Sequence, residues 1–277
     1  MNLRQECILC KRVRNLQLSH LIPRFVTKYL KQIGSSGYIR NQLGIRTQDT
    51  PKMYILCHDC EEKLSIFETY FSKTFLKRIV LNPGSQISIE YNYNLKRFIL
   101  TMSWRILYYY LQEFRKEGSG NQVLEYLFEK WRRYILSLNK IPIEESFYMI
   151  CWGECKKAEE ILQISDSEKR NLDACKHLTI LTSFHNSEPT VPEFLFIQIP
   201  HFTFFTVLSA EQLKGFQNFQ IDNDGVYDLN EKIKDEWGFW AFYNSKVRDI
   251  KEITIHRNEI EKIDNSILRK NQTNQHD

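Results

Sequence analysis

No stretch of this sequence is apolar for long enough to cross a membrane. A spanning helix needs roughly 20 mostly apolar residues, and the most apolar segment, 191–208, is interrupted by Glu193, Gln198, Pro200 and His201. That segment suits two buried strands around Pro200 better than a helix. Also lacking is the apolar core of a secretory leader, since Met1 to Cys10 is polar. The cytosol is therefore the expected location, and no membrane partner is expected. Neither a phosphate-binding glycine loop, a Gly-x-Ser-x-Gly elbow nor a Rossmann fingerprint occurs. Their absence removes the commonest nucleotide-binding and serine-hydrolase readings. No internal repeat is evident.

Acidic residues are scarce at one end of the chain. Through residue 60 only Glu6, Asp49 and Asp59 stand against ten basic side chains: Arg4, Lys11, Arg12, Arg14, Arg24, Lys28, Lys31, Arg40, Arg46 and Lys52. That segment carries +7, and the whole chain carries +4, so the remainder carries −3. A basic module on a slightly acidic chain points to a polyanion, most simply nucleic acid and by expectation DNA. The alternative is a solvated basic face with no ligand. The candidate nucleic-acid contacts are Arg12, Arg14, Arg24, Lys28, Lys31, Arg40, Arg46 and Lys52.

The seven cysteines are not scattered. Four form two Cys-x-x-Cys pairs, Cys7 with Cys10 and Cys57 with Cys60. Thiols in the cytosol stay reduced, so such pairs there are metal ligands more often than disulfides. Structural zinc is tetrahedral, and each pair lets one tight turn present two thiolates to it. Cys7, Cys10, Cys57 and Cys60 are thus expected to hold one structural Zn2+ that pins two distant segments together. Cys151, Cys155, Cys175 and His177 offer four further ligands, but their spacings are unusual for a metal site. Buried core thiols are the preferred reading there.

The pattern of apolar residues gives an α+β chain. An apolar run at 16–21 precedes a helix opened by Pro23 and ended by Gly34. Residues 38–50 read as an irregular loop, 53–56 as a strand, and a helix from near Cys60 carries Leu64, Phe67, Phe71 and Phe75. Long helices are expected over 95–115 and 123–138 as a central antiparallel pair. Strands are expected at 147–152, 178–184, 194–199, 202–208 and 237–243, with a short helix at 166–175. The expected organisation is a module at 1–82, a helical and mixed domain with antiparallel strands at 83–256, and a polar tail at 257–277.

The order of motifs narrows the first module. After the first knuckle comes Leu18-Ser19-His20-Leu21-Ile22-Pro23, and the second reads Leu56-Cys57-His58-Asp59-Cys60-Glu61. Over residues 5–78 this resembles the zinc-braced HNH (ββα-metal) endonucleases. The resemblance implies a zinc-stabilised ββα-metal fold and a metal-dependent phosphodiester hydrolysis. There a histidine acts as general base and one Mg2+ or Mn2+ stabilises the scissile phosphate. His20 falls on the base position. Ser19 stands where the family has an acidic metal ligand, and Glu61 stands where it has His or Asn. Glu61 is either a hard-cation ligand that replaces the acid missing at Ser19 or a first-turn carboxylate favoured by the helix dipole. The orienting asparagine has no clear counterpart, with Asn41, Gln48 and Asp49 as candidates.

Two functions follow as expectations. One is an HNH-type endonuclease cleaving nucleic acid, with the larger domain docking a protein partner or regulating cutting. The resemblance further implies a bacterial protein of anti-phage defence. The other is a catalytically silent zinc-binding adaptor for nucleic acid or protein.

Overall fold

A computed structural model of the protein describes residues 4–33, 39–40, 46–81, 88–118, 121–137, 145–152, 181–185, 193–209 and 212–228. The expected helix at 166–175, the expected strand at 237–243 and the polar tail lie outside the described residues. So do Cys155, Cys175 and His177, and the side chains of Arg40 and Arg46.

The first module is a three-stranded antiparallel sheet crossed by a helix. Strands β1 (Arg4–Glu6), β2 (Val13–His20) and β5 (Lys52–Cys57) pair in the order β1-β2-β5. Between β2 and β5 run helix α1 (Arg24–Ile33) and a short hairpin of β3 (Ile39–Arg40) with β4 (Arg46–Thr47). The hairpin corrects the expectation of an irregular loop; its strands are two residues each, too short for an alternating pattern to register. The β2–β5 register slips between Gln17 and Leu18, so Leu16 faces Cys57 while Leu18 faces Tyr54. The extra residue is Ile55, which is buried, and its carbonyl accepts from the Ile8 N–H at 3.0 Å. A bulge of this kind re-aims the strand end, and His20 sits at that end.

Helix α2 (His58–Phe71) starts directly from β5 and continues through a π-helical turn, Ser72–Leu76, into α3 (Lys77–Leu81). Its N-terminus has no side-chain cap, and Asp59 and Glu61 lie in its first turn. Two long helices follow, α4 (Tyr93–Lys116) and α5 (Gln122–Leu136), and they pack on each other. Asn92 and Asn121 cap them by accepting from first-turn backbone N–H groups. Beyond them a four-stranded antiparallel sheet has the order β7-β10-β9-β8: β7 (Phe147–Cys151), β8 (Leu181–His185), β9 (Phe194–Ile199) and β10 (Phe202–Val207). Every residue of β7, β9 and β10 is buried, which is why these segments read as continuous apolar runs rather than alternating ones. A last pair, β6 (Ser88–Tyr91) with β11 (Gly225–Asp228), joins segments far apart in sequence.

One hydrophobic core runs across all of these layers, from Cys7 and Leu9 through Phe71 and Phe98 to Phe204. At its centre Phe71 of α2 stacks on Phe98 of α4 at 4.1 Å and meets Phe202 of β10 edge-on at 4.9 Å. Such ring pairs contribute about 0.5–1.5 kcal/mol each beyond area burial. The tripeptide Ser103-Trp104-Arg105 holds the layers together with polar groups. Ser103 bonds the Thr206 hydroxyl on β10, Trp104 donates to the Phe128 carbonyl on α5, and Arg105 reaches the module. No described helix is long and apolar enough to cross a membrane.

Candidate functional site

The four cysteines come together. Cys7 and Cys10 lie in the turn between β1 and β2, Cys57 ends β5, and Cys60 is in the first turn of α2. Their sulfurs all lie within 4.8 Å of one another, with Cys10 and Cys57 3.9 Å apart. Tetrahedral zinc with Zn–S bonds of about 2.3 Å needs neighbouring sulfurs about 3.8 Å apart. Three of the four side chains are buried, Cys10 is half-buried, and none forms a disulfide. The first knuckle is shaped by backbone as well. Lys11 takes a left-handed φ of 61°, its N–H bonds the Cys7 carbonyl at 2.8 Å, and the Cys7 N–H bonds the Arg12 carbonyl at 3.0 Å.

The electrostatics of the cluster call for a cation. The Cys60 hydrogen bond holds the Cys7 thiol down to about 4 against the opposing effect of burial, with help from the backbone N–H groups of Cys10, Cys57 and Leu9. Cys60 is pushed far up, first by its hydrogen bond to Cys7, then by burial and by its neighbours. Four thiolates this close cannot coexist without a metal charge between them, and a buried all-sulfur tetrahedron matches structural zinc.

His20 ends β2, and its Nε2 is 2.9 Å from Asp49 Oδ2. Asp49, one of the three candidates for the orienting group, therefore lies against His20, while Asn41 is outside the described residues. The same oxygen accepts from Lys52 Nζ at 2.6 Å, and Oδ1 accepts from the Thr50 N–H at 3.0 Å. Burial raises the Asp49 carboxyl, but hydrogen bonds from Lys52 and His20 and the His20 charge hold it well below the ordinary carboxylate range. From behind, Arg105 donates Nη1 to the His20 carbonyl at 2.9 Å.

Ser19 turns inward: it is buried, and its hydroxyl donates to the Gln17 carbonyl at 3.4 Å. Glu61 is half-buried, and its Oε1 is shut off from solvent with no hydrogen-bond partner among the described residues. An orphaned carboxylate oxygen is a fit donor for a hard cation. Yet among the described residues the four cysteines form the one group of three or more metal-ligating side chains, so Glu61 does not join His20 and Asp49 in such a group. His58 points to solvent and pairs with Glu62 at 3.2 Å.

The basic residues divide into two places. Arg12 and Arg14 are exposed beside the first knuckle, and about 20 Å of strand separates Arg14 from His20. Arg24, Lys28 and Lys31 lie on α1, which begins four residues after His20 and contains no acidic residue. Their spacing of four and three puts them on one helix face. Arg24 and Lys28 are exposed, and Lys31 donates to Gln48 at 3.0 Å, next to Asp49. Lys52 is tied to Asp49 rather than free for a ligand.

No protein-family model, no curated protein and no solved structure matches the chain. What the chain has is an α+β fold with a buried four-cysteine cluster of structural zinc type, where a β-hairpin meets α2. The sequence reading missed Arg105 and Arg132, the arginines that brace this cluster and His20 from the long helices. The one signal for Arg105 was a charged residue among the apolar positions of a buried helix.

Proposed function

We propose that this is a zinc-braced nucleic-acid-binding protein. The observation that carries the proposal is the basic stripe Arg24–Lys28–Lys31 on α1, a helix free of acidic residues beside the His20–Asp49 corner. Zinc supplies the rigidity. By holding the turn between β1 and β2 against the start of α2, it fixes β2 and β5, and α1 springs from the end of β2. Successive stripe residues rise by about 6 and 4.5 Å along the helix, close enough together for neighbouring phosphates to be held at once. Contacts of this kind recognise the sugar–phosphate backbone and not the base sequence. The proposal is tested by the salt dependence of binding to mixed-sequence duplex DNA, comparing the chain with a variant neutralised at Arg24, Lys28 and Lys31.

A second reading is favoured by the His20–Asp49 contact. A histidine whose Nε2 is held by a carboxylate can accept a proton from water at its other ring nitrogen, which is the first need of an HNH-type phosphodiester hydrolysis. Mg2+ or Mn2+ would stabilise charge on the phosphate when bound. Cleavage of supercoiled plasmid with either metal, compared between the native chain and His20→Ala, tests this reading. Activity that depends on His20 supports it.

A further inference from the structure

The first knuckle is gripped by an arginine from α5. Arg132 donates Nη1 to the Leu9 carbonyl at 2.8 Å, while its Nε and Nη2 fork onto the two oxygens of Glu129 at 2.7 and 2.6 Å. The Arg132 side chain is 14% exposed and Leu9 is fully buried. The Leu9 carbonyl belongs to the same peptide group as the N–H of Cys10, inside the turn that carries both sulfurs of the first knuckle. The guanidinium thus holds the peptide that leads into the ligand Cys10.

We infer that Arg132 is a positioning residue of the zinc centre. It fixes the Leu9–Cys10 peptide and with it the place of Cys10 in the first knuckle, and its positive charge offsets the net negative charge of a four-thiolate zinc site. Glu129 keeps the guanidinium fork aimed at the knuckle. Lysine could supply the charge but not both arms of the fork. Groups that orient metal ligands from behind commonly alter metal affinity by about 10- to 100-fold when removed. The inference rests on zinc being held by Cys7, Cys10, Cys57 and Cys60, and is independent of nucleic-acid binding.

The test is zinc affinity of the full chain, read by competition with a chromophoric chelator, for the native protein, Arg132→Met, Arg132→Lys and Arg133→Met. Arg133 is the control: it pairs with the same Glu129 at 3.2 Å, but its side chain is 74% exposed. One zinc per native chain first establishes the site itself. Arg132→Met is then expected to bind zinc about 10- to 100-fold more weakly, Arg132→Lys to recover part of the loss, and Arg133→Met to stay within about twofold of native. Co2+ in place of zinc should give the tetrahedral thiolate spectrum in every variant, because all four ligands remain. Native affinity in Arg132→Met, or an equal loss in Arg133→Met, overturns the inference. If Arg132→Met does not fold, Arg132→Lys decides: affinity below that of Arg133→Met supports the role, and affinity equal to it overturns it.

Discussion

Arg105, in the middle of α4, donates Nη1 to the main-chain carbonyl of His20 at 2.9 Å, across 85 residues of sequence. Its Nη2 pairs with Glu68 of α2 at 2.7 Å and its Nε reaches the Thr101 carbonyl at 3.4 Å. The side chain is 1% exposed, so this is a buried charge whose two Nη donors are directed into the zinc module. Through it the central helix holds the end of β2, where the chain turns into the basic helix α1.

Removing one partner of a buried pair leaves the other charge uncompensated and costs about 3–5 kcal/mol. Glu68→Ala is expected to destabilise the protein by that amount in urea unfolding. An apolar replacement of both partners, Arg105→Met with Glu68→Leu, should recover only part of it, because the His20 carbonyl then loses its donor. A loss below about 1 kcal/mol for Glu68→Ala would contradict a buried, paired role for Arg105.

Zinc should be needed for the fold. Structural zinc contributes roughly 10 kcal/mol or more to folding in isolated finger peptides, and here it ties the β1–β2 turn to the start of α2. Elemental analysis is expected to give about one zinc per chain from this site. Cys57→Ser, or exhaustive chelation, should abolish the thermal transition of the module. A metal-free chain that unfolds at the native temperature contradicts this.

The resemblance of residues 5–78 to zinc-braced HNH endonucleases led to His20, and the cysteine spacing led to the four-sulfur cluster. The cluster is readable in sequence because the short-range spacing of each Cys-x-x-Cys pair encodes it. Long helices and buried strands were readable too, α4 and β9 nearly to the residue, since apolar periodicity and run length mark them. The contact of Asp49 with His20 was not, because β3, β4 and the residues between them separate the two and spacing carries no register across such a stretch. The β6–β11 pairing was missed for the same reason: Ile89 and Tyr227 are partners set by the core between them. Ser19 is instructive in another way. A serine beside a histidine on a strand looked like a weakened ligand, whereas the shift in register at Gln17/Leu18 leaves it buried.

Acid should weaken the contact between α5 and the first knuckle. The Glu129 carboxyl is pulled from its ordinary 4.5 down to about 2, first by its hydrogen bond from Arg132 and further by Arg133 and Lys11. A carboxyl with a depressed folded-state value adds stability that is fully present above the unfolded value and lost as pH falls through the folded one. The stability difference between the native chain and Glu129→Gln is therefore expected to be constant from pH 7 to about 5, then to shrink toward pH 2. Denaturant unfolding across that range checks it, and a difference that grows on acidification contradicts it.

If His20 acts as a base, its loss should remove cutting and spare binding. General bases contribute about 10²- to 10⁴-fold, so His20→Ala should lower metal-dependent plasmid cleavage by that factor with zinc content unchanged. Asp49→Asn, which keeps a hydrogen-bond acceptor but no charge, should fall between the two. Cleavage that survives His20→Ala rules out this role.

The central claim, nucleic-acid binding through α1, is tested most directly by the slope of log affinity against log salt for mixed-sequence duplex DNA. Each phosphate neutralised contributes about −0.9 to that slope. Changing Arg24, Lys28 and Lys31 together to glutamine is expected to flatten the slope by about 2 to 3 and to weaken binding at low salt. The same change at Arg12 and Arg14, at the opposite end of β2, should leave most of the slope in place. Equal slopes for the native chain and the α1 variant, or no binding by the native chain at low salt, would contradict the claim.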